Sequence, residues 1–268
     1  MSDPIRIRAS SWGDLFDCAA RWEAANLNGK RMPLSPPALI GTAVHGATAV
    51  YDAGRYNGTP VTPDEAAAVA VDIIAHPGED TNWRAGDFTP KDANWIAAGL
   101  TMDYCRDWSY KWNFRSVEMT LSPLVVDTGD ALIELTGKMD RARVRTGTIG
   151  GLGITDLKTG RQAVSQGRAK TTGFKYQIGV YELLAENTYN EPVTMPGEII
   201  ALKTTGKREI AIAEIANAKA LMLGTDEQPG ALHMAGKMLK AGLFPPNPRS
   251  YLCSDKFCPI YSSCQAHD

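Results

Sequence analysis

The stretch Gly151-Leu-Gly-Ile-Thr-Asp156-Leu-Lys158-Thr-Gly160 constrains this chain more than any other. It reads as a buried strand entering a glycine-ended turn. Side chains alternate faces on a strand, so Leu152, Ile154, Asp156 and Lys158 share one face. An acid and a base therefore emerge together at the end of an apolar strip. Unpaired charge facing a core is costly. The cost falls if Asp156 meets a metal cation and Lys158 meets an anion.

A second acid precedes it in Leu135-Thr-Gly-Lys-Met-Asp140-Arg-Ala-Arg-Val-Arg145. Asp140, Ala142 and Val144 share one face of that strand, and Arg141, Arg143 and Arg145 the other. Turn residues between 145 and 151 predict a hairpin that sets Asp140 beside Asp156. Two carboxylates and a lysine converging on one spot suit a hard divalent cation and a phosphate.

The 268 residues are 44% apolar with a formal net charge of −2. That length supports a sizeable core, and the composition is globular. The near-neutral charge removes any overall nucleic-acid signature, so contact with nucleic acid must come from local basic patches. No apolar run reaches the ~20 residues that span a bilayer. The first residues, Met-Ser-Asp-Pro-Ile-Arg-Ile-Arg, have no apolar signal core. The expectation is a soluble, cytoplasmic protein with no membrane partner.

Periodicity divides the chain into three parts of one domain spanning 1–268. Residues 1–114 read as mainly helical, with helices over 11–26, 38–53, 63–75 and 89–111. Residues 115–213 read as a largely antiparallel sheet over 116–126, 131–135, 139–145 and 151–157, followed by a helix over 172–186 and two more strands. Residues 214–268 read as a helix, broken near 228–230, and a cysteine-bearing tail. The fold class is α/β: a central mixed sheet flanked by helices, with a helical N-terminal portion.

Two further groups carry chemistry. Arg161, Arg168, Lys170 and Lys175 lie between the Asp156 strand and the helix that bears Gln177 and Tyr181. Such a run is ordinarily a solvated face. Beside a phosphate site it also suits contact with a DNA backbone. Of the five cysteines, Cys253, Cys258 and Cys264 crowd the tail and Cys18 sits in the first helix. In a reducing compartment crowded cysteines favour metal over disulfides. An iron–sulfur cluster, a Cys₄ zinc site and unligated thiols all remain open. Cys105 reads as a plain core or surface thiol.

Four motifs in order, Gly41-x-x-x-His45, Gly137-x-x-Asp140, Asp156-Leu-Lys158-Thr-Gly and Gln177-x-x-x-Tyr181, resemble the PD-(D/E)XK nuclease superfamily in its RecB-like branch. The resemblance implies a restriction-endonuclease-like core. It implies that His45, Asp140, Asp156 and the Leu157 carbonyl hold Mg²⁺ or Mn²⁺. Lys158 would then stabilise charge at the phosphate or orient a water, while Gln177 and Tyr181 brace the site. The cysteine layout is similar to that of the AddAB-type and CRISPR-associated nucleases, which implies a [4Fe–4S] cluster on Cys18, Cys253, Cys258 and Cys264. Four residues separate Cys253 from Cys258 where that layout more often has two. The activity implied is a Mg/Mn-dependent deoxyribonuclease, an exonuclease acting on DNA ends or single strands in recombination, repair or replication. It would work alone or with a separate helicase or recombination protein, in a bacterial cell or a phage-infected host. A structure-specific endonuclease and a DNA-binding subunit with a vestigial site are the alternatives.

Overall fold

The computed structural model describes residues 3–84, 86–144 and 151–267. The expected turn at 145–150, with Arg145, lies outside the described residues. A short strand, β1 (Ile5–Arg8), opens the chain and is followed by five helices. These are α1 (Trp12–Asp17), α2 (Ala19–Asn26), α3 (Pro36–Asn57), α4 (Pro63–Ala75) and α5 (Pro90–Asp107). Then come β2 (Asn113–Thr120), β3 (Leu124–Asp127), β4 (Leu132–Thr136), β5 (Lys138–Val144) and β6 (Leu152–Gly160). A small hairpin of β7 (Val164–Ser165) and β8 (Arg168–Ala169) precedes α6 (Lys175–Tyr189). The chain finishes with β9 (Gly197–Lys203), β10 (Ile210–Ile215), α7 (Ala218–Leu223) and α8 (Ala231–Ala241).

Helices α3, α4 and α5 each start at a proline behind a Ser or Thr cap: Ser35, Thr62 and Thr89. Proline lacks an N–H that a first turn could not use anyway, and the cap hydroxyl accepts a backbone N–H that would otherwise go unpaired. Thr62 with Glu65 and Thr89 with Asp92 close reciprocal capping boxes.

The main sheet has the order β10-β9-β6-β5-β2. Only β6 and β9 run parallel; the other pairs are antiparallel. A parallel pair needs a crossover connection, and here it contains α6. Helices cover both faces. On one side Leu152, Ile154, Ile199 and Ala201 pack with residues of α1, α2, α6, α7 and α8. On the other, Leu157, Ile200 and Leu202 pack with α3, α4 and α5. This is the mixed α/β architecture expected, and the opposite faces taken by Leu157 and its neighbours Ile154 and Leu152 follow from the strand period of two.

Among the described residues, 1–114 hold five helices and also β1, which pairs in parallel with β4. Two expectations change. Strands β3 and β4 leave the expected antiparallel run to form a second sheet, β1-β4-β3. The single helix over 11–26 is two helices. Cys18 breaks it with an extended backbone (φ −148°, ψ 96°), and Ser11 makes no side-chain cap. Its hydroxyl donates to the Arg8 carbonyl instead. Helical spacing of Leu15, Ala19 and Trp22 survives a one-residue break, so the pattern alone could not show it.

Candidate active site

The site forms where β5 and β6 separate. Their ladder ends with Arg141 opposite Thr155, so the next residues, Asp140 and Asp156, fall opposite each other. Asp140 Oδ2 accepts the Leu157 N–H at 2.8 Å, taking the place of a strand partner. Helix α3 approaches this point closely. A Cβ on Gly41 would sit 2.8 Å from Thr159 Oγ1, so the glycine lets the helix reach β6. One turn further on, His45 Nδ1 lies 3.4 Å from Asp140 Oδ2. Gly137 plays a matching part, since a Cβ there would meet the Tyr181 ring at 2.8 Å.

Gln177 and Tyr181 stand one helical turn apart on α6 and face the same spot. Gln177 Nε2 donates to Asp156 Oδ1 at 3.1 Å and lies 3.2 Å from Tyr181 Oη. The Tyr181 hydroxyl donates to the Lys138 carbonyl at 2.8 Å. The pair therefore ties α6 to both acid-bearing strands. Lys158 Nζ forms an ion pair with Asp156 Oδ2 at 2.6 Å. That oxygen is buried and receives no hydrogen bond of regular geometry, so a charge contact is all that compensates it.

Asp140 and Asp156 are both buried, yet their electrostatics diverge. Burial alone would raise the Asp140 carboxyl, but His45, Lys158 and Arg141 outweigh it and hold the group well below its ordinary value. Burial would lower His45, but the charge and hydrogen bond of Asp140 leave it raised. For Asp156 burial dominates and Asp140 adds repulsion; Lys158 offsets only part, leaving the carboxyl pushed up to about 6. Burial likewise raises Tyr181 far above the phenol range, so it stays a neutral donor. Paired carboxylates pushed apart in this way are common at catalytic sites.

Among the described residues, one triad brings its ligand atoms within 4.8 Å of one another: His45, Glu118 and Asp140. Oxygen and imidazole donors suit a hard divalent cation, so the residues present fit one. Sequence reasoning missed Glu118. Asp156 lies next to this triad but outside its compact set, held by Gln177 and Lys158. His45, Glu118, Leu157 and Lys158 line one open cleft with Lys138, Gly41 and Thr159.

Beneath the site lies a buried ion pair. Arg141 Nε donates to Asp52 Oδ2 at 2.8 Å, and both side chains are fully buried. Tyr104 and Ser109 also donate to Asp52, and Arg141 Nη1 donates to the Asp140 carbonyl at 2.8 Å. Asp52 and His45 stand two turns apart on α3, so the pair fixes α3 against β5.

Of the basic residues, Arg161, Arg168 and Lys170 line one groove together with Lys203. The Arg161 guanidinium also lies 4.9 Å from the centre of the Phe88 ring. Lys175 begins α6, apart from that groove. The four cysteines Cys18, Cys253, Cys258 and Cys264 line one pocket with Arg21, Asn247 and His267. The Asn247 N–H points at Cys18 Sγ at 3.4 Å, and Cys253 Sγ lies 3.2 Å from His267 Nε2. Burial and the thiols of Cys258, Cys18 and Cys264 raise the Cys253 thiol. Among the described residues no three of these sulfurs come within 4.8 Å of one another. A tetrahedral zinc site with Zn–S of ~2.3 Å would need sulfurs ~3.8 Å apart. Cys105 is buried, and burial pushes its thiol up to about 12, which fits a structural core thiol.

A family model described as the PD-(D/E)XK nuclease superfamily matches residues 9–265. No curated protein matches the chain. A crystal structure of a candidate exonuclease from Eubacterium rectale is similar, with a TM-score of 0.50 and 17% identity, over 94% of this chain and 86% of that one. The crystal structure of SSO0001 has a TM-score of 0.45 and 13% identity, over 99% of this chain and 88% of that one. At 17% identity the likeness to the Eubacterium rectale structure bears on fold alone.

Proposed function

The chain belongs to the PD-(D/E)XK nuclease superfamily, and from that premise we propose that it is a DNA exonuclease. It would act on DNA ends or single strands with Mg²⁺ or Mn²⁺. Membership itself makes the chain a nuclease of the metal-dependent phosphodiesterase type. The observation that carries the finer reading is that Asp140 and Asp156 pair with His45 and Lys158 respectively, and those two partners line one cleft.

His45 and Asp140 would hold the cation, with Asp156 and the Leu157 carbonyl at its edge. When bound, the cation supplies Lewis acidity toward the scissile phosphate and makes water acidic enough to attack at neutral pH. Lys158, paired with Asp156, also lines the cleft, where its ammonium would orient the water or stabilise charge developing on the phosphate. Gln177 keeps Asp156 turned toward the strand gap, and Tyr181 braces the Lys138 carbonyl two residues before Asp140. Arg161, Arg168 and Lys170 would take the DNA backbone leading from the cleft, and Lys175 the strand passing the start of α6. A separate helicase or recombination protein would supply single strands.

In the pocket shared by Cys18, Cys253, Cys258 and Cys264 we propose a [4Fe–4S] cluster, for which thiolates are the usual ligands. Such a cluster would tie the tail to the break between α1 and α2.

The test is cleavage of end-labelled linear DNA and of closed circular DNA with Mn²⁺. Degradation of linear DNA alone supports the exonuclease. Nicking of circles transfers the site to a structure-specific endonuclease. Binding without cutting identifies a DNA-binding subunit with a vestigial site.

A further inference from the structure

One acid of the site has no part in this chemistry. Strand β2 pairs Val117 with Arg141 and Met119 with Met139, so Glu118 falls opposite Asp140. Asp140 in turn falls opposite Asp156, just past the Arg141–Thr155 pair. Three carboxylates therefore occupy one row across three neighbouring strands. Like charges directly opposite destabilise a sheet, so the row requires cations.

The backbone at Glu118 is also unusual. Its φ is +51°, a left-handed conformation in which a Cβ crowds the following carbonyl oxygen. Strain of this kind persists where surrounding structure enforces it and collects at functional sites. Here it interrupts the ladder and leaves the carboxylate within 4.8 Å of the ligand atoms of His45 and Asp140.

Two cations now attend Glu118. Arg141 Nη1 lies 3.5 Å from Oε1, but Arg141 is buried and committed to Asp52. Lys138 Nζ lies 2.7 Å from Oε2, and its side chain is 58% exposed, so it is free to swing into solvent. We propose that Glu118 is a ligand of the divalent cation held by His45 and Asp140, and that Lys138 keeps its place until the cation arrives. The inference rests on the nuclease reading of the same site. It makes the compact donor set one imidazole and two carboxylates from three separate elements, α3, β2 and β5. Asp156 stays at the edge of that set, tied to Gln177 and Lys158.

The experiment is calorimetric titration of Mn²⁺ into the protein at pH 8 without DNA. Glu118→Gln keeps the side-chain shape and removes its charge. It is expected to weaken Mn²⁺ binding at least ~10-fold, the scale on which even partners of metal ligands matter. Lys138→Met is expected to tighten binding, because the competing ammonium is gone. Asp140→Asn serves as control and is expected to weaken binding too. If Asp140→Asn binds weakly while Glu118→Gln binds like the unaltered protein, the Glu118 assignment is overturned and the nuclease reading stands. If both bind like the unaltered protein, the nuclease site itself fails. If Lys138→Met binds no tighter, the place-holding role is lost. Should Glu118→Gln not fold, Glu118→Asp, one methylene shorter, replaces it with the same expected direction and the same refuting result.

Discussion

Replacing Asp156 by asparagine should stabilise the metal-free protein while destroying its site. Burial and the neighbouring Asp140 push the Asp156 carboxyl from 3.8 to about 6, even with Lys158 alongside. The sign follows from proton binding. Below pH 3.8 the group is neutral in both folded and unfolded chains and contributes nothing. Between that value and about 6 the unfolded chain ionises first, so the folded state loses stability as pH rises. Above about 6 the full penalty is present, ~3 kcal/mol by the conversion of pKa difference to free energy. Asparagine resembles the protonated acid in shape and leaves Lys158 in the same unpaired state, so Asp156→Asn removes that penalty. For a chain of 268 residues an unfolding entropy of ~2.1 cal/mol/K per residue turns ~3 kcal/mol into a midpoint rise of ~5 °C. The assay is thermal unfolding in EDTA at pH 8 and at pH 4. The gain should be present at pH 8 and shrink sharply at pH 4. Added Mn²⁺ should then stabilise the unaltered protein more than the variant. A variant that melts lower at pH 8, or gains equally at both pH values, refutes the reasoning.

Other expectations follow from the same geometry. Arg141→Met leaves Asp52 buried without its charge partner and should cost ~3–5 kcal/mol, read as a lower denaturant midpoint; a loss below ~1 kcal/mol would show that the pair is dispensable. Cys18→Ser should lower the iron content of anaerobically purified protein and loosen the tail to proteolysis, whereas unchanged iron would remove Cys18 from the cluster. Mn²⁺ affinity should fall as pH drops through about 6, because protons then compete at Asp156; a flat profile from pH 8 to pH 5 would detach Asp156 from the cation.

The strands that carry Asp140 and Asp156 were legible because period-two alternation is strict. Asp156 and Lys158 stand on the face of Leu152 and Ile154, and that placement needs no knowledge of partners. The motif glycines were visible as letters, but their reason was not. Only the packing shows that Gly41 admits Thr159 and Gly137 admits the Tyr181 ring. Arg141 read as one of three arginines on the face opposite Asp140. Its partner, Asp52, lies 89 residues away, and no local pattern reports such a distance. Glu118 escaped because a left-handed glutamate inside a strand has no sequence signature; glycine or asparagine would have flagged it. The Cys18 break was hidden for the opposite reason, since the helical spacing on either side continues through it. Strand β1 is four residues with alternating Ile and Arg, and it becomes a strand by pairing with β4, far along the chain.

The central claim is that Asp140, Asp156 and Lys158 form one hydrolytic site. It is tested most directly by cleavage of end-labelled single-stranded DNA with Mn²⁺, comparing the unaltered protein with Lys158→Ala. The account predicts cutting that EDTA abolishes, a loss of ~100-fold or more in Lys158→Ala, and retained DNA binding by that variant. Cutting by Lys158→Ala at the unaltered rate, or cutting that survives EDTA, would contradict it.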